Sequence, residues 1–195
     1  MELSDDYYNS ISLGYDELYG KEQVEKLDYL LKKMSNLNFK KTTIKILDFG
    51  CGSCVAIPYL IDFLSKKSIK KIEYLGIDNS KSLIKLAQKR FENVIFDIDF
   101  SFKLELIDAL DFINDNKIKD YDLIISLTAI QNFDLEKFLR EFLNKINFKK
   151  QVLLLSVLNR SLSIDYIRNA FLEDFEMDSG SKDDYFYSFV TDWTQ

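Results

Sequence analysis

Along the chain, runs of Ile, Leu, Val and Phe alternate with stretches whose apolar residues recur at helical spacing, the pattern of an α/β sheet with helices on both faces. Val24, Leu27, Leu30, Leu31 and Met34 predict a helix from Glu22 to Leu37. A strand from Ile44 to Phe49 follows, then a helix ending near Leu64, a strand from Ile72 to Ile77 and a helix from Ser80 to Phe91. Pro58 falls early enough in its helix to be tolerated. Two runs compete for the next strand, Val94 to Phe100 and Phe102 to Ile107, and the second is preferred because it ends at Asp108. Tyr121 to Leu127 and Gln151 to Leu158 are nearly continuous in hydrophobicity and read as central parallel strands. Between them, Leu135, Phe138, Leu139, Phe142 and Ile146 share one face of a helix from Asp134 to Ile146. A helix from Ile164 to Leu172 and a terminal hairpin, Phe175 to Met177 with Tyr185 to Thr191, complete the pattern, the hairpin strands being antiparallel edge elements.

With 195 residues, one proline and six glycines, the chain has neither a low-complexity linker nor an internal repeat, so residues 1–195 are expected to form one domain. The start lacks the basic and apolar regions of a signal peptide, and no apolar run approaches the roughly 18 residues of a spanning helix. A cytoplasmic protein without a membrane partner is the expectation. The sequence has no histidine and two cysteines, Cys51 and Cys54, too few for a four-ligand Cys/His zinc site, and no metal is expected. The missing histidine also removes the commonest general base near neutral pH.

The chemistry-bearing residues follow the strands, where ligands of open parallel sheets bind. After the first strand stands Asp48-Phe49-Gly50-Cys51-Gly52, whose two glycines let the backbone turn sharply and approach a ligand. Asp48 would repel a pyrophosphate and attract a sulfonium or ammonium, and Val55 stands where a dinucleotide fingerprint wants a small residue. The loop therefore favours S-adenosylmethionine over a dinucleotide, although a plain strand-to-helix turn needs no ligand. After the second strand, Asp78 can accept two hydrogen bonds from a ribose, whereas Asn79 or Ser80 can cap the next helix without it. Asp108 with Ala109 can accept from an adenine amino group and leave room for the ring, or Asp108 can simply cap a helix. The stretch Ser126 to Phe133 follows a central strand and is expected to line the acceptor side of the pocket.

The order and spacing of these loops resemble a class I S-adenosylmethionine-dependent methyltransferase, and the stretch from Tyr7 to Gly20 is similar to the N-terminal segment of compact archaeal members. The resemblance implies a seven-strand Rossmann-like sheet, mostly parallel with a C-terminal antiparallel hairpin, and residues 1–40 as a helical segment covering the cofactor site before a core at 41–195. It implies that Gly50 and Gly52, with Cys51 between them, contact the methionine moiety, Asp78 and Asn79 the ribose, and Asp108 with Ala109 the adenine. Ser126 falls at the acceptor side, and Tyr15 or Tyr19 would stand near the cofactor or merely staple the first helix. Ser126-Leu127-Thr128-Ala129 replaces the Asn/Asp-Pro-Pro-aromatic motif of enzymes that methylate adenine or glutamine nitrogens, which argues against those acceptors. The methyl acceptor is unassigned among a small molecule, a protein and RNA.

Three competing readings remain. A partner-dependent or non-catalytic subunit would work with a small zinc-binding activator protein at the sheet edge. Cys51-Gly52-Ser53-Cys54 has redox spacing at a helix start, but the only proline, Pro58, cannot supply a facing cis-proline. A nucleotide-dependent oxidoreductase would bind NAD tightly, against the acidic loop. Finally, the net charge of −6 and the lysines clustered before strands, such as Lys40-Lys41 and Lys70-Lys71, argue against unassisted nucleic-acid binding. Asp48, Asp78, Asp108 and Asp134 instead predict a negative mouth.

Overall fold

Five apolar runs become the parallel centre of one sheet. In the computed structural model, β1 (Thr43–Phe49), β2 (Lys71–Asp78), β3 (Asp99–Leu106), β4 (Leu123–Leu127) and β5 (Val152–Leu158) lie in the order β3-β2-β1-β4-β5, each parallel to its neighbours. Two further strands, β6 (Glu176–Asp178) and β7 (Asp184–Phe189), extend the sheet beyond β5, with β7 antiparallel to both β5 and β6. The structure describes residues 10–11, 14–36, 39–115, 118–147, 150–158, 176–178 and 184–189. The helix expected from Ile164 to Leu172 lies outside them.

Because successive residues of a strand face opposite sides, β1 feeds two cores. Ile44 and Ile46 join Leu27 and Leu30 of α1 (Tyr15–Lys33), Leu60 of α2 (Ile57–Ser65) and Phe91 of α3 (Lys81–Phe91). Leu47 and Phe49 join Phe112 of α4 (Ala109–Asp115) and Phe138 and Phe142 of α5 (Leu135–Lys145) on the other face. The Phe49 ring meets those three phenylalanines edge-on, with centroids 5.5–6.1 Å apart. The chain runs outward from β1 to β3 and then returns to β4 on the other side of β1, so the β1/β4 boundary is the switch point at which a crevice opens.

Two elements depart from the sequence expectation. Helix α1 begins at Tyr15, not Glu22, and ends at Lys33. Its first turns bury Gly20 and Gln23 rather than aliphatic side chains, so hydrophobic periodicity misses them. Strand β3 takes residues from both competing runs, starting at Asp99 and ending at Leu106. As an edge strand with one partner it leaves Phe102 and Leu106 exposed, which blurs any alternation. No helix among the described residues is long and apolar enough to cross a membrane.

Gly76 in β2 shows how tightly the crevice floor is packed. A Cβ there would stand 2.9 Å from Cys51 Sγ and from Leu104 Cδ2. Gly76→Ala is therefore expected to cost about 1–3 kcal/mol as overpacking, read as a lowered denaturation midpoint with an unchanged m-value.

Candidate functional site

The glycine loop hangs from the tip of β2, since Gly50 N and Cys51 N both donate to the Ile77 carbonyl, at 2.9 and 3.0 Å. Gly50 and Gly52 hold φ of +67° and +54°, in the left-handed region where a side chain is strained. Space forbids one as well: a Cβ on Gly50 would lie 2.3 Å from the Cβ of Ala129. A Cβ on Gly52 would lie 3.3 Å from the Tyr15 hydroxyl, so the first turn of α1 places a tyrosine directly over the loop. Tyr19 stands behind it, ring centroids 5.2 Å apart. Of the two tyrosines named from sequence, Tyr15 is thus the one at the loop.

Asp48, near the end of β1, is 5% exposed. Among the described residues its carboxylate has no cation in contact and accepts a hydrogen bond from the Tyr74 hydroxyl at 2.7 Å. Burial pushes the Asp48 carboxyl up to about 7; the Tyr74 hydrogen bond opposes the rise and the Asp78 charge adds to it. The negative mouth expected from sequence is therefore conditional at this residue. Asp48 is charged only above neutral pH unless a cation stands beside it.

The two cysteines are buried in the same string of contacts, with Cys54 Sγ 3.3 Å from the Tyr74 hydroxyl. The Cys51 thiol is pushed well above its usual value by its hydrogen bond with Cys54, by burial, and by the charges nearby. Burial of both thiols and the upward push on Cys51 are the opposite of the exposed, electropositive setting in which a reactive cysteine sits at a helix start.

Asp78 ties the site together: one carboxylate oxygen accepts from Gly52 N at 2.9 Å and the other from Ser80 N at 2.8 Å. Capping of α3 falls to Ser80, whose hydroxyl accepts from Leu83 N. The acid at the strand tip is thus left to organise the loop. Asp108 behaves otherwise, since its carboxylate accepts from Leu110 N at 2.8 Å, a cap on α4. Ser126 is fully buried and donates to the Phe49 carbonyl at 2.9 Å. Its hydroxyl fastens β4 to β1 and is not presented to the crevice.

The crevice itself, about 80 Å³, is lined by Tyr15, Gly50, Gly52, Asp78, Asn79 and Thr128, with Ala129 and Phe133 on the β4 side. A recess of about 30 Å³ beyond Tyr15 reaches Asp48, Cys51 and Gln23. Asp108, Ala109 and Asp134 are not among the residues that line either space. Thr128, within the stretch expected on the acceptor side but not singled out there, holds φ of +55°, a conformation that a β-branched residue adopts only when its surroundings impose it. Ser156 binds its N–H, and the ammonium of Lys26 donates to its hydroxyl at 2.6 Å. Lys26 is itself buried and pairs with Glu22 one turn earlier on α1. No pattern in the sequence marks a lysine on a helix as buried, so this contact was not legible.

The comparisons with known proteins place this fold, with its glycine-opened crevice at the switch point of a parallel sheet, in a family. Residues 40–184 match the methyltransferase-domain family. The chain belongs to that family. This methyltransferase domain superposes on the magnesium protoporphyrin IX methyltransferase of Synechocystis PCC 6803 with bound S-adenosylmethionine, at a TM-score of 0.66 and 16% identity, covering 97% of this chain and 98% of that one. It is also similar to a Haloferax volcanii protein in complex with the Trm112 methyltransferase activator, at a TM-score of 0.64 and 14% identity over 94% and 97% of the two chains. At such identities the likeness establishes the fold. An uncharacterised protein of Methanocaldococcus jannaschii is 35% identical over 103 residues, 52% of this chain. The matched stretch spans a quarter of that relative's length. The Synechocystis structure holds S-adenosylmethionine, and that of the plantazolicin methyltransferase BpumL, 25% identical over 85% of this chain and 58% of that one at a TM-score of 0.55, holds S-adenosylhomocysteine.

Proposed function

We propose that the crevice holds S-adenosylmethionine with its methionine end over Gly50–Gly52 and its ribose at Asp78, and presents the methyl group to an acceptor arriving past Thr128, Ala129 and Phe133. The observation that carries this reading is the buried Asp48 carboxylate, which has no cationic partner among the described residues and lies beside a loop that no Cβ can enter. Such a cradle fits a cationic ligand. When bound, the cofactor supplies a methyl group on a positive sulfur, open to in-line displacement by a nucleophile. Gly50 and Gly52 allow close backbone approach, Asp78 orients the sugar, and Tyr15 covers the site and excludes water. The finer assignments go further. Asn79 flanks the ribose, Cys51 contributes backbone, the adenine extends beyond the crevice as described to Asp108 and Ala109, and the seven-strand sheet with its terminal hairpin is that of class I methyltransferases. Ser126 acts by fastening β1 to β4 at the acceptor side.

Calorimetry with S-adenosylmethionine tests the assignment through Asp78→Asn. Losing a charged acceptor lowers affinity roughly tenfold to a hundredfold if the ribose binds there. Affinity within about twofold of the wild type in a folded variant would remove Asp78 from the site.

A second reading, dependence on a small activator protein, is favoured by one surface. The outer edge of β3 lacks a neighbouring strand among the described residues, Phe102 and Leu106 are exposed on it, and Ile95 beside it is 94% exposed. Edges of this kind accept an added strand from a partner. Cofactor binding without methyl transfer, restored by co-expression with an activator, would support this reading over a self-sufficient enzyme.

A further inference from the structure

Arg90 lies in the last turn of α3, where a cation ordinarily does no more than offset the helix dipole. Here it reaches away from its own helix. Its Nε donates to the Ser53 carbonyl at 3.0 Å, and its guanidinium pairs with Asp16 in the first turn of α1. Ser53 closes the triangle, its hydroxyl donating to the other Asp16 oxygen at 2.5 Å. One arginine thus ties together the glycine loop, the second-strand helix and the start of the N-terminal helix. A second contact holds the same helix face one turn later, where a Cβ on Gly20 would stand 3.3 Å from Val55. A glycine inside a helix is costly, and this one lets α1 lie close against the loop.

Tyr15 is the neighbour of Asp16, and the 80 Å³ crevice and the 30 Å³ recess share Tyr15, Gly50 and Leu127 in their walls. Both spaces are smaller than the roughly 300 Å³ at which small-molecule pockets begin. The crevice is therefore narrow as described, and the helix whose Tyr15 narrows it is fastened by an ion pair at the surface. The two partners are 24% and 35% exposed, so water and salt reach the pair.

We propose that Arg90 is a positioning residue: with Asp16 and Ser53 it latches the start of α1 over the glycine loop, keeping Tyr15 across the crevice, and this latch releases to admit and discharge the cofactor. The inference rests on the crevice being the S-adenosylmethionine site. It assigns Arg90 no contact with the reacting atoms.

Two measurements on the full chain test it. Hydrogen exchange of the ligand-free protein reads the latch alone: Arg90→Gln and Asp16→Asn raise exchange at the amides of residues 15–23. The charge swap Asp16→Arg with Arg90→Asp returns it toward the wild-type rate. Binding kinetics read the consequence, with S-adenosylhomocysteine as the probe because its sulfur is uncharged and salt then acts on the protein pair. Arg90→Gln raises the dissociation rate about fivefold, the size of one partly exposed ion pair. The wild-type rate also rises between about 0.05 and about 0.5 M salt, while that of the variant stays level. Unchanged exchange in both single variants overturns the latch. Altered exchange with unchanged kinetics overturns its role at the cofactor site. A wild type that binds neither S-adenosylmethionine nor its product sinks the cofactor reading, and the exchange data still decide the latch. If Arg90→Gln does not fold, the salt dependence of the wild-type rate and the behaviour of Arg90→Lys decide instead.

Discussion

Gly50→Ala is expected to be the most damaging alanine substitution among the described glycines. The new Cβ would arrive 2.3 Å from the Cβ of Ala129, an atom fixed to its own backbone that cannot rotate aside. The tip of β4 and the glycine loop would have to separate, at about 1–3 kcal/mol for overpacking. A left-handed φ of +67° adds about 1–2 kcal/mol for any side chain. Together these give a loss of about 2–5 kcal/mol, or a melting temperature lowered by roughly 4–20 °C in a domain of this size. Ala129→Gly in the same chain removes the clash but not the strain, so the double variant should recover part of the loss. Full recovery would show that the backbone conformation costs nothing, and no loss in the single variant would refute the packing argument.

Asp48→Asn should abolish the loss of stability that this carboxyl imposes as pH rises. In the folded protein the Asp48 carboxyl is pushed up to about 7 from its ordinary 3.8, so the fold prefers its protonated form. For a raised pKa, stability is fully present below the unfolded value and is lost as pH climbs toward the folded one. Between about pH 4 and pH 7 this group alone withdraws on the order of 4 kcal/mol. Asparagine can still accept from Tyr74 but cannot ionise, so the variant should match the wild type near pH 4 and exceed it near pH 8. Chemical denaturation at the two pH values measures the difference, and a variant less stable at both would refute the burial argument.

The same residue predicts how the cofactor should bind. If Asp48 faces a sulfonium, wild-type affinity for S-adenosylmethionine rises about tenfold from pH 6 to pH 8, because a carboxyl titrating at about 7 goes from about one-tenth to about nine-tenths ionised over that range. The variant binds weakly and without that rise. S-adenosylhomocysteine, lacking the sulfur charge, depends less on pH, and equal dependence for both compounds would place Asp48 away from the sulfur.

Much of this architecture was legible as pattern. Near-continuous apolar runs marked β1, β2, β4 and β5 to within one or two residues, because a strand buried on both faces leaves little room for polar residues. The same logic failed at β3, which has one neighbour and a wet face, and at the start of α1, which packs through a glycine and a glutamine. Among candidate site residues, Asp78 and Tyr15 stand at the glycine loop as expected from their places after β2 and before the core. Ser126 and Asp108 do not line the crevice, although each follows or ends a strand as sequence reasoning required.

The sequence by itself determined the order of strands and helices, the glycine loop after β1 and the acids at the strand tips, since each depends on local periodicity and on what a backbone without Cβ can do. Only the tertiary structure decided that Asp48 is buried with Tyr74 rather than open to water, that Thr128 rather than Ser126 faces the crevice, and that Arg90 joins Asp16 and Ser53. Asp16 and Arg90 are 74 residues apart in the chain, and burial, like side-chain direction at a strand end, is set by which distant elements pack there. Periodicity along one segment carries no record of that neighbour, so the chemistry of the crevice emerges only when the sheet has closed around it.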